Sequence, residues 1–115
     1  MIDQFRALWN DTRDEAAVSF GERARGKVAI WSLERAVAVL RASARSTVCV
    51  KSVGDTQTSH QETALLATVA ALKAGDPDRA AMQAIWLVKR DAVPRLLRSL
   101  APLAHMPSPQ YAAAA

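Results

Sequence analysis

Cysteine, histidine and glycine are scarce in this chain of 115 residues, and long apolar runs are missing altogether. The lone Cys49 has no partner for an internal disulfide, which fits a reducing compartment. The two histidines, His60 and His105, stand far apart, and no His, Cys or carboxylate cluster has metal-ligand spacing. No metal or other cofactor is therefore expected. No stretch approaches the ~20 apolar residues of a membrane span, so no membrane partner is expected. Asp3 comes early and no apolar core follows a basic start, unlike a secretory leader. These absences together set the expectation of a cytoplasmic protein.

What is present is half apolar, enough for one domain with its own core at this length. The formal net charge is +4, which permits phosphate or acidic-protein partners without requiring them.

Helix punctuation is clearest in the second half. Ser59-His60-Gln61-Glu62 has the form of a capping box, hydroxyl at the N-cap and carboxylate three residues on. Leu65, Val69 and Leu72 then form an apolar stripe, and Gly75 suits a left-handed helix end. Asp76-Pro77 restarts a helix with a capping carboxylate and a first-turn proline. From Pro77 to about Arg90 this helix is apolar over most of its circumference (Met82, Ile85, Trp86, Leu87, Val88), so it is buried or covered by a second chain. Pro94 kinks or restarts the chain, and Leu96, Leu97, Leu100 and Leu103 continue the apolar theme.

In the first half, Ile2, Phe5, Leu8 and Trp9 predict a short helix over 2–9. Thr12-Arg13-Asp14-Glu15 is a second capping-box pattern. Ile30, Leu33, Val37, Leu40 and Ala44 form a stripe, so residues 13–45 are one long bent helix or two split near Gly21–Gly26. Residues 47–53 are strand-like in composition but lack a pairing strand, which favours an extended connector or a continued helix. The expected fold is all-α: a compact bundle of four or five helices with the 59–74 and 77–91 hairpin at its centre. Residues 1–104 form its single domain and 105–115 a disordered tail.

Catalytic patterns do not close. Gly21-Glu22-Arg23-Ala24-Arg25-Gly26-Lys27-Val28 nearly spells a phosphate-binding loop, but Val28 lacks the hydroxyl that would hold Mg²⁺. An interrupted helix accounts for it, as a solvated first-turn residue accounts for His60 and a small buried apolar residue for Cys49. An enzyme is not expected.

Binding is the remaining class. Across 23–51, seven cations against Glu34 alone leave a net +6; across 79–98, five against Asp91 leave +4. Arg23, Arg25, Lys27, Arg41, Arg45 and Lys51 are candidates for contact with phosphates or an acidic partner. Trp31, between Lys27 and Arg35 at helical spacing, is a partly exposed stacking candidate. Trp86, Leu87, Leu96 and Leu100 are candidates for a protein interface, where buried aromatics anchor and rim charges orient. The reading is a small regulatory or adaptor protein that binds a protein partner through an apolar helical face with a basic rim. The alternative is an oligomeric DNA-binding or DNA-packaging protein that contacts phosphates through residues 23–51. The apolar surplus of 82–103 leads either reading to expect a homodimer or larger homo-oligomer.

Ala71-Leu72-Lys73-Ala74-Gly75-Asp76-Pro77-Asp78-Arg79-Ala80 resembles the last helical hairpin of the FCD ligand-sensing domain of GntR-type regulators, over about residues 64–90. The resemblance implies an all-helical hairpin and dimerisation. Leu65 and Leu87 stand where that family places metal-binding histidines, so it implies no ligand set here. Tyr111-Ala112-Ala113-Ala114-Ala115 resembles the bacterial trans-translation tag, whose terminal alanines an AAA+ protease reads, and implies a bacterial-type turnover signal.

Overall fold

Two helix starts follow from side-chain chemistry alone. The Ser59 hydroxyl accepts from the Glu62 N–H at 3.1 Å and the Glu62 carboxylate accepts from the Ser59 N–H at 2.9 Å, closing the capping box. Asp76 accepts from the Arg79 N–H at 3.0 Å, with Pro77 in the first turn behind it. Between these two starts Gly75 adopts φ +72°. Its N–H donates to the Leu72 carbonyl and the Asp76 N–H to the Ala71 carbonyl, the paired bonds of a Schellman end. A Cβ at Gly75 would meet no neighbour, so glycine serves the backbone angle there and not close packing.

The computed structural model describes residues 1–10 and 24–105, with backbone alone for 24–27. Within them the chain forms α1 (Ile2–Trp9), α2 (Ala24–Ser43), α3 (His60–Lys73), α4 (Pro77–Ala84), a 3₁₀ turn (Arg90–Ala92) and α5 (Val93–Ala104). The protein is all-α, as the sequence leads one to expect, and among the described residues no helix is long and apolar enough to cross a membrane. Gly26 lies inside α2, so Ala24 to Val28 is helix and not a phosphate loop. The Thr12–Glu15 box, Arg23, the split of 13–45 before Ala24, and the alanine tail at 111–115 lie outside the described residues.

α5 is the central element. It packs against α2, α3 and α4, whereas the expected hairpin, α3 with α4, flanks it. Leu96 and Leu100 of α5 are fully buried and join Leu33, Val37, Leu40, Leu65, Val69 and Phe5 in one apolar cluster. The buried Ser32 hydroxyl donates to the Ser99 carbonyl and so pins α2 against α5. Pro94 sits in the first turn of α5 and restarts the chain.

Two expectations give way. α4 stops at Ala84, because the Trp86 and Leu87 N–H groups turn back to the Gln83 and Ala84 carbonyls in a tighter coil. Val88 then forms a single antiparallel bridge to Ala44, with Arg45 N–H on Leu87 O at 3.1 Å and Lys89 N–H on Ser43 O at 2.9 Å. The apolar residues are thus divided. Leu87 and Val88 turn into the core, while Met82, Ile85 and Trp86 stay outside. The second change is Cys49, which is exposed, not buried; it lies in residues 44–58, which form the extended connector that the composition of 47–53 favours and whose Val50 packs on the core. Cys49 instead offers its carbonyl to the Ser59 hydroxyl.

Candidate functional site

The most polar interior feature is structural, and local sequence patterns do not announce it. Arg6 of α1 and Glu62 of α3 are both fully buried and paired, Nε to Oε2 at 2.6 Å and Nη2 to Oε1 at 3.3 Å. Arg6 also donates to Asp3 Oδ1 (3.0 Å), the Asp55 carbonyl (2.9 Å) and the Gln57 carbonyl (2.7 Å). That uses all five guanidinium donors. Glu62 accepts in addition from the Ser59 and Lys51 N–H groups, and Asp3 from the Gly54 N–H. One junction therefore ties α1, the connector and the start of α3 together.

Burial pushes the Glu62 carboxyl up, but the bonds from Arg6, Ser59 and Lys51 outweigh it and hold the group below the usual carboxylate range. The Gly54 N–H, joined by Arg6 and opposed by burial, holds Asp3 below its ordinary value. Both folded-state values lie below the unfolded ones, so the folded chain binds fewer protons in acid. The stability they confer is complete above roughly pH 5 and is lost as pH falls through the carboxylate range near 4 and below. The urea midpoint, measured from pH 7 to pH 3, is expected to fall steeply below pH 5 in the wild type. In Arg6→Met the fall is shallower, since Glu62 then has less to lose. Equal slopes would contradict the assignment.

Of the sequence-nominated cations, Arg41, Arg45 and Lys51 are described, and each is tied to a different part of the fold. Arg41 stacks on the Trp9 ring, 5.1 Å from its centroid, and donates to the Trp9 carbonyl. Arg45 donates to the Ile85 carbonyl at 2.9 Å, in another part of the fold. The Lys51 backbone is committed to Glu62. The side chains of Arg25 and Lys27, like all of Arg23, lie outside the described residues.

Of the four nominated interface residues, Leu87, Leu96 and Leu100 are core residues of this one chain and present nothing to a partner. The apolar surplus behind the expected homo-oligomer is largely spent there. Trp86 is 65% exposed, and Met82, one turn earlier, 66%; Ile85 beside them is also exposed. This ridge adjoins a groove of about 260 Å³ between α3 and α4, floored by Ala67, Ala70, Ala71 and Ala74 and edged by Arg79 and Gln83. Arg79, Met82 and Gln83 share a face of α4, since they lie three and four residues apart. Met82, at one end of the ridge, thus stands beside the groove-lining Arg79 and Gln83. Among the described residues no group of three His, Cys, Asp or Glu could hold a metal ion. No family model, curated protein or solved structure matches the chain.

Proposed function

We propose that this is a small non-enzymatic binding protein, a regulator or adaptor that docks an amphipathic, acid-bearing helix of a protein partner on the α3–α4 surface. The observation that carries the reading is the Met82–Ile85–Trp86 ridge, left exposed by a fold that buries Leu87 and Val88 directly after it. Burying such side chains is worth roughly 1.5–3 kcal/mol each, and tryptophan is prominent among interface anchors. The alanine floor lets a helix approach closely, the geometry of helix-in-groove recognition. Arg79 at the rim, with Lys89 and Arg90 following the ridge in sequence, favours carboxylates on the partner. A second copy would bring the same cations against these across a two-fold interface, which argues for a different protein as occupant.

The nucleic-acid reading through residues 23–51 has less support, because Arg41 and Arg45 spend donors on backbone carbonyls of the same chain. The test is retention of proteins on immobilised wild type against Trp86→Ala and Met82→Glu, with light scattering of the free chain at tens of micromolar. The expected result is a monomer that retains an acidic protein, with affinity about 30-fold or more lower for Trp86→Ala. A dimer that Met82→Glu dissociates would put a second copy on the ridge and overturn the reading.

A further inference from the structure

A second surface, on the opposite pairing of helices, gathers cations that lie far apart in sequence. Between α2 and α5 runs an open groove of about 330 Å³, lined by Arg35, Ala38 and Val39 on one wall and Arg95, Arg98 and Ser99 on the other. All three arginines are exposed, and none of the described residues that line the groove is a carboxylate. Arg35, Arg95 and Arg98 form no ion pair with another of the described residues. Arg95 and Arg98 stand one turn apart on α5, about 4.5 Å along its axis. Arg35 faces them from α2, and the Ser32–Ser99 bond buried beneath holds the two walls in register. Ser99 gives its own hydroxyl to the Arg95 carbonyl, so the polar groups left for a ligand are the guanidiniums. Arg95 retains a 3.2 Å bond to the Ser43 hydroxyl. At the edge of this surface Arg35 lies 4.8 Å over the exposed Trp31 ring.

We propose that the α2–α5 groove binds a strand of nucleic acid, its phosphates on Arg35, Arg95 and Arg98 and a base against Trp31. Three like charges held on two packed walls attract a polyanion and release its counterions. An aromatic ring beside them suits a strand, which brings bases as well as phosphates; inorganic phosphate would use only the cations. This site is separate from the α3–α4 surface and does not depend on it.

The test is fluorescence polarisation with a labelled mixed-sequence single strand of about 12 nucleotides, in ~50 to ~200 mM salt. Arg95→Ala/Arg98→Ala is expected to weaken binding at least tenfold and to reduce the salt slope by about two. Arg98→Ala alone, which takes no Ser43 bond with it, is expected to reduce the slope by about one. Trp31→Ala is expected to weaken binding about tenfold. Lys73→Glu, an equal change in net charge at the exposed end of α3, is expected to weaken it far less. Equal losses in Lys73→Glu and the double variant would reduce the effect to net charge and overturn the proposal. So would no binding at ~50 mM salt, or complete displacement by millimolar inorganic phosphate at constant ionic strength, which would make the groove a small-anion site.

Discussion

Replacing Arg6 with methionine is expected to destabilise the fold by about 3–5 kcal/mol, a large part of the stability of a domain this size. The effect is large because Glu62 stays behind, fully buried, with its two backbone N–H donors but without the guanidinium. Glu62→Gln is expected to cost a similar amount by the opposite route. The amide can still cap Ser59, but Arg6 is left as an uncompensated buried cation. The double variant should lose about 2 kcal/mol less than the two single losses added together, since neither partner is then stranded. Urea denaturation of the four proteins measures this directly. Simple additivity would show that the two groups are not a pair in solution.

The second large effect is a contrast between adjacent residues. Leu87→Ala is expected to cost about 2–5 kcal/mol, and Leu96→Ala and Leu100→Ala the same, because each leaves a cavity in the single core. Trp86→Ala, one residue away, is expected to leave stability within about 0.5 kcal/mol, since it removes a side chain that water already surrounds. Thermal melts of the four variants check this. A Trp86→Ala variant that melts with Leu87→Ala would place Trp86 in the core and remove the ridge.

These two contrasts also show what the sequence conveyed. The start and end of α3 and the start of α4 were legible because their chemistry is local: Ser59 with Glu62, Gly75, and Asp76 with Pro77 act within a turn. The α1 stripe was equally direct. The Arg6–Glu62 pair was not, because its members lie 56 residues apart. A signal was present in both helices. Arg6 falls at a stripe position among Ile2, Phe5 and Trp9, and Glu62 stands three residues before Leu65 in the stripe of α3. A charge inside an apolar stripe is a candidate for a buried partner. Leu87 was grouped with Trp86 because helical periodicity was extended past Ala84, where the chain leaves the helix and sends the two to opposite environments, and Leu96 and Leu100 face the core from α5. The arginine groove was hidden by counting the two basic segments separately: Arg35 belongs to one, Arg95 and Arg98 to the other, and only the α2–α5 packing joins them.

The most direct test of the proposed function is photo-crosslinking in the native cell from a benzophenone side chain at position 86, with position 38 as the comparison. The expected result is an adduct from position 86 with a different, acidic protein, identified by mass spectrometry and abolished by Met82→Glu. An adduct with a second copy of this chain, or the same protein captured equally from both positions, would contradict it.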